Sequence, residues 1–132
     1  MTKKARVITI MMILVCAFAQ LAVMANAATS AYYTNVTLPN LQREVQLAAG
    51  TNASNNSART YMTFSGGTAN KIYVQTQKSD GSSPVTAWCE FSQSNNYQSL
   101  WYNTNVKTGT GLKVIAYQKN VLSKTASGHI YF

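Results

Sequence analysis

Two patterns of hydrophobic positions divide the chain. From Val7 to Met24 the residues are almost wholly apolar, broken chiefly by Thr9 and Gln20. Beyond Thr29 that run gives way to short segments in which apolar and polar residues alternate. A period of two marks a β-strand with one face buried and one face wet. Such segments cover residues 32–38 (YYTNVTL), 42–47 (QREVQL), 58–64 (ARTYMTF), 70–78 (NKIYVQTQK), 85–91 (VTAWCEF), 97–106 (YQSLWYNTNV), 112–119 (LKVIAYQK) and 127–132 (SGHIYF). Turn-forming residues separate them: Pro39-Asn40, Ala48-Ala49-Gly50, a polar loop over 51–57, Ser65-Gly66-Gly67, Asp80-Gly81, and the KTGTG segment at 107–111. One stretch, 38–50, also fits a short helix, with Leu41, Val45 and Leu47-Ala48 along one side. No other helical period is evident.

Regular short strands punctuated by Gly, Asn and Ser predict an all-β domain, a small antiparallel β-sandwich of about seven to eight short strands, with a small barrel as the alternative. The chain shows no internal repeat and no linker. Gly66-Gly67 and Gly109-Gly111 read as turns, since neither is followed by the Lys-Ser or Lys-Thr pair that opens a phosphate-binding helix.

The apolar front changes the picture of where this domain works. Lys3, Lys4 and Arg6 precede the apolar run, and Ala25-Asn26-Ala27 follows it with small residues at the positions a signal peptidase reads. This layout predicts a secretory signal peptide over 1–27, cleaved between Ala27 and Ala28, and a single β-sandwich domain over 28–132 outside the cytoplasm. An uncleaved anchor would need about 20 apolar residues, and the polar Thr29-Ser30 after the Ala-Asn-Ala site favours cleavage. A lipoprotein signal on Cys16 would want a small residue where Val15 stands.

Charge then narrows the partners. Of eleven basic residues three go with the leader, and all three acidic residues (Glu44, Asp80, Glu90) stay, so the mature formal charge is +5. A basic, otherwise lightly charged surface suits an anionic cell-wall polymer, a glycan or another secreted protein. Nucleic acid is disfavoured, because the lysines are scattered and form no basic run interleaved with aromatics. The recurrence of aromatic and β-branched residues argues against disorder.

Candidate chemistry is sparse. In 85–91, alternation puts Val85, Ala87, Cys89 and Phe91 on one face and Thr86, Trp88 and Glu90 on the other. Cys89, alone once Cys16 has left, is expected to be a buried free thiol, since free cysteine packs as a small hydrophobe. A nucleophilic role would need a base, and His129 is the sole histidine, with no local motif joining the two. Glu44, Asp80 and Glu90 offer no spacing that selects a glycosidase pair. One His and one distant Cys do not make a zinc site, and the Asn-only loops lack the carboxylates of a calcium site. No catalytic residue, metal or cofactor is expected. Exposed aromatics carry more promise: Trp88, Trp101 and Tyr102, with Tyr73 and Tyr117, beside Lys71, Lys113 and Lys119, form an expected aromatic and basic surface. Ring faces stack on the apolar sides of sugars while amides and ammonium groups meet hydroxyls and anions.

Over residues 58–132 the order RTYMTF, NKIYVQTQ, TGTGLKVIAYQKN and SGHIYF resembles small secreted all-β proteins of unknown function from Gram-positive bacteria. Arg59, Gly111, Val114, Ala116, Ser127 and Gly128 occupy the comparable places, while His129 and Lys113 depart from the pattern. The resemblance implies extracytoplasmic location and a β-fold and brings no activity. The expected function is therefore non-enzymatic: binding at the cell surface or to another protein, with a secreted bacteriocin-like toxin second and a small hydrolase third. The mature protein should have the mass of residues 28–132, which intact mass spectrometry of the exported form would check.

Overall fold

The computed structural model describes residues 29–53, 59–92 and 97–132. The proposed leader and its cleavage point at Ala27 and Ala28 lie outside the described residues. Among the described residues nine strands follow one another: β1 (Ser30–Leu38), β2 (Val45–Thr51), β3 (Arg59–Thr63), β4 (Gly66–Gly67), β5 (Lys71–Lys78), β6 (Cys89–Ser92), β7 (Tyr97–Trp101), β8 (Gly111–Tyr117) and β9 (Lys124–Tyr131). One sheet runs β1-β9-β3-β7, with the two-residue β4 also paired to β9; the other runs β2-β8-β5-β6. Every pairing is antiparallel.

The order has a simple origin. Apart from β4, β1 pairs with β9, β2 with β8, β3 with β7 and β5 with β6. The first half of the chain thus zips against the second as one long hairpin, and that hairpin is wrapped into two sheets. This is a jelly roll, an antiparallel sandwich in which the wrapping brings β3 onto β9 and β5 onto β8.

The alternating sequence supplies the core between the sheets. Leu38, Met62, Phe64, Ile72, Val74, Phe91, Leu100, Leu112, Val114 and Ile130 are all fully or almost fully buried. Phe64 and Phe91 meet across the gap with ring centroids 5.6 Å apart. Each such side chain contributes about 1.5–3 kcal/mol of apolar burial.

Four segments differ from the sequence reading, each for a local reason. The 38–50 stretch contains no helix: Leu41 and Gln42 take positive φ values of 57° and 61°, and β2 begins later, at Val45, and runs on through Ala48 and Ala49. Residues 85–88 are not strand. Val85 and Thr86 are adjacent yet both buried, which a pleated strand does not allow. The Thr86 hydroxyl accepts from the Thr76 amide (2.9 Å), so the segment binds β5 through a side chain and leaves Ala87 exposed, where alternation had placed it inward. Gly66-Gly67 is more than a turn, for it adds two residues to the sheet against Ser127 and Ala126. β7 stops at Trp101, well short of residue 106.

Tyr33, on β1, is buried opposite Gly128 of β9. Its hydroxyl donates to the Thr63 carbonyl at 2.6 Å. A Cβ on Gly128 would come within 2.4 Å of the phenolic oxygen and 2.0 Å of the Thr63 carbonyl, so this position admits glycine alone. Burial raises the Tyr33 phenol well above the ordinary tyrosine range. The folded state therefore holds this proton after the unfolded chain has released it, and stability must fall as pH climbs beyond about 10. Urea denaturation at successive pH values above 9 should show that decline, and Tyr33→Phe should make it shallower; an unchanged slope would contradict the assignment.

Candidate binding face

Antiparallel register carries three residues onto one rung of the second sheet. Tyr73 of β5 lies opposite Glu90 of β6 on one side and opposite Tyr117 of β8 on the other. All three point away from the core, because Ile72, Val74 and Ala116 on the same strands point into it. The two tyrosine rings stack at 4.9 Å with planes 10° apart. Trp88, delivered by the irregular segment before β6, sets its ring against Tyr117 at 4.8 Å and 72°, an edge-to-face contact. Each ring pair contributes about 0.5–1.5 kcal/mol beyond the area it buries.

Charged groups frame these rings. The Lys119 Nζ stands 4.3 Å from the centre of the Tyr73 ring, within cation–π range. Lys71 forms an ion pair with Glu90 (2.6 Å), and the Tyr73 hydroxyl donates to the other Glu90 oxygen at 3.0 Å. These bonds, that from Lys71 first, hold the Glu90 carboxyl below the ordinary carboxylate range, and Glu90 in turn raises Lys71. The pair is exposed, so solvent screens it strongly. Lys113 shares this outward side of β8, two rungs from Tyr117 and opposite Gln77, beside the turn that carries Asp80.

The structure thus brings Tyr73, Trp88, Tyr117, Lys71 and Lys119 into one cluster, with Lys113 further along the same face. It does not bring in the other two expected residues. Trp101 lies on β7 of the opposite sheet, 63% exposed, with the Arg59 guanidinium 5.1 Å from its ring centre. Tyr102 is half-buried. The chain leaves the strand after Trp101, and Tyr102 turns inward against the core, its hydroxyl 3.0 Å from that of Thr60. Burial, the larger influence, raises its phenol despite that hydrogen bond.

Cys89 has no disulfide partner among the described residues and is only partly buried, where alternation predicted it buried. It packs against the core from β6, a sheet edge, with Sγ 3.8 Å from the Ala87 carbonyl oxygen. Burial raises its pKa, disfavouring the thiolate. His129 projects from the outer face of the other sheet, so the sandwich separates the two and no nucleophile–base pair forms. Asp80 is held low by its bonds with Ser82, the backbone one first, as a turn residue. No group of three or more His, Cys, Asp or Glu side chains converges on a metal-sized site among the described residues.

A second aromatic surface went unread in the sequence. Tyr32 stacks on His129 (3.9 Å, 10°), His129 meets Tyr131 at 4.1 Å, Tyr131 meets Tyr61 at 5.9 Å, and Tyr61 meets Tyr97 at 6.2 Å. The available signal was the outward parity of Tyr61, between Thr60 and Met62, and of His129 and Tyr131, on either side of Ile130.

No family model matches the chain, and no curated protein does. Among solved structures, a crystal structure of PirA aligns with a TM-score of 0.46 at 10% identity, covering 80% of this chain and 94% of that one. The structure of the Gx strain of infectious bursal disease virus aligns with a TM-score of 0.29 at 14% identity, covering 76% of this chain and 28% of that one.

The partial burial of Cys89 leads to a chemical expectation. A thiol-specific reagent at neutral pH should modify the native protein more slowly than the urea-unfolded chain, and the native rate should climb as pH passes the ordinary cysteine range. Equal native and unfolded rates would remove the burial assignment.

Proposed function

We propose that the protein is an exported, non-enzymatic binding protein that holds an anionic cell-surface polymer against the outward face of β8, β5 and β6. One observation carries this reading: a single rung and its neighbours present Trp88, Tyr117 and Tyr73 together with Lys119, Lys71 and Lys113. Ring edges and faces offer contact to the apolar side of a sugar, and ammonium groups meet carboxylate or phosphate. Mutual stacking fixes the rings before any ligand arrives, which lowers the entropy cost of binding. The formal charge of +5 that remains on residues 28–132 favours encounter with a polyanion. The signal-like segment at 1–27 supports the location.

Sedimentation with purified cell walls carrying teichoic acid tests this reading. Retention should be strong at about 0.01 M salt and largely lost at about 1 M, where the screening length shrinks to about 3 Å. Replacing Lys113 and Lys119 together by glutamine should weaken the low-salt retention several-fold without disturbing the fold. Retention that ignores both salt and the double substitution would overturn the proposal.

A further inference from the structure

The outward side of the first sheet has a different composition. Its outward side chains are Ser30, Tyr32, Thr34, Asn35 and Thr37 on β1, Arg59, Tyr61 and Thr63 on β3, Tyr97, Ser99 and Trp101 on β7, and Thr125, Ser127, His129 and Tyr131 on β9. Arg59 is the one charged group among them, and none is aliphatic. The rest are hydroxyls, an amide, an imidazole and aromatic rings.

Register carries the rings across the sheet, with one step along β9 from His129 to Tyr131. Tyr32 is opposite His129, Tyr131 is opposite Tyr61, and Tyr97 lies one strand further on, opposite Thr63. The ribbon Tyr32–His129–Tyr131–Tyr61–Tyr97 therefore crosses all four strands of the path. Its ring centroids lie 3.9, 4.1, 5.9 and 6.2 Å apart in succession, on the scale of one sugar unit. Tyr32, Tyr97 and Tyr131 are 77%, 57% and 46% exposed. Both ends and the middle of the ribbon are thus open to a ligand, while Tyr61 and His129, half-buried, form its floor. The His129 ring is held by stacking, for its Nε2 is buried without a hydrogen-bond partner; its backbone amide donates to the Thr63 hydroxyl at 3.1 Å.

From this composition and spacing we infer a second binding site, on the β1-β9-β3-β7 face, for an extended neutral polysaccharide. A contiguous exposed aromatic surface marks an interaction site. The chemistry around the rings selects the occupant. A single-stranded nucleic acid would need a positively charged groove beside its stacking rings, and this face has one cation, already turned toward Trp101 and Ser99. A membrane surface would be met by aliphatic side chains and lysines beside the aromatics, and neither projects here. The hydroxyls of the tyrosines match those of an uncharged sugar chain and the rings match its apolar ring faces, while Thr63, Ser99, Thr125 and Ser127 already hold internal hydrogen bonds.

Titration calorimetry with a panel of neutral linear hexasaccharides (β-1,4-glucan, β-1,3-glucan, α-1,4-glucan and N-acetylated chitohexaose) tests the inference on the folded protein. At least one should bind, with affinity unchanged between about 0.1 M and about 1 M salt. Replacing Tyr32 and Tyr131, both largely exposed, with alanine should weaken that binding about tenfold or more, and the paired glutamine substitutions at Lys113 and Lys119 should leave it alone. Circular dichroism and the thermal midpoint of the alanine variant establish that it is folded; Tyr97→Ala, at the far end of the ribbon, gives a second and milder variant. Failure of every hexasaccharide to bind at millimolar concentration, binding that survives both tyrosine changes, or self-association of the wild type abolished by those changes would overturn the assignment. These outcomes are separate from those of the lysine-dependent proposal, which concerns the opposite sheet and a salt-sensitive interaction.

Discussion

The close approach of Tyr33 to Gly128 is the constraint on which the sandwich turns. β9 is the innermost seam of its sheet, paired with β1 on one side and with β3 and β4 on the other. Its inward residues are Ala126, Gly128 and Ile130, and the glycine leaves the space in which the Tyr33 ring lies and reaches the Thr63 carbonyl. A buried phenol satisfied by a backbone acceptor locks the first strand, the third and the last into one register. That register sets the outward parity of His129 and Tyr131 and so builds the aromatic ribbon on the far side. The β1 bulge supports the same seam: the backbone amide of Asn35, at φ 47°, donates to the Ser127 hydroxyl, which in turn donates to the Asn35 Oδ1.

The wrapped hairpin also creates buried polar sites that must be filled. Gln118 is fully buried, yet its Nε2 lies within hydrogen-bond reach of the Leu38, Pro39 and Leu122 carbonyls, and its Oε1 accepts from the Asn120 amide. One side chain thereby closes the connection after β1 onto the connection after β8. Thr60 and Thr76 bridge the two sheets through their hydroxyls at 3.1 Å, with Tyr102 continuing the chain from Thr60. Such groups cost about 1–3 kcal/mol each when left unpaired. They favour this wrapping over other stackings of the same strands, because other stackings would strand them.

The two outer faces divide the surface chemistry. One carries rings with lysines and a glutamate, mutually packed and electrostatically tuned. The other carries rings with hydroxyls and a single arginine. The first was partly legible in the chain: Tyr73, Trp88 and Tyr117 are outward by parity, and Lys71 and Lys119 are near them in sequence. Trp101 and Tyr102 fall outside this cluster because β7 belongs to the other sheet, where Trp101 points outward and Tyr102 turns toward the core. On the second face outward parity marks Tyr61, His129 and Tyr131 singly, but not their gathering, since the five rings come from four strands separated by up to a hundred residues.

Period-two alternation is a local property, written in the sequence because each residue's burial depends on the parity of its position. It determined the all-β class, the sandwich and most of the strand positions, while Cys89, expected to be buried, is only half-buried on the edge strand β6. Which strand pairs with which is decided by contacts between residues far apart, where the entropy of closing long loops must be met by packing on both faces at once. The tertiary structure alone therefore decided the jelly-roll order, the departure of residues 85–88 from strand geometry, the two-residue β4, and the gathering of the rings. A side chain's parity says that it points outward, but only the paired neighbours say what it points outward beside.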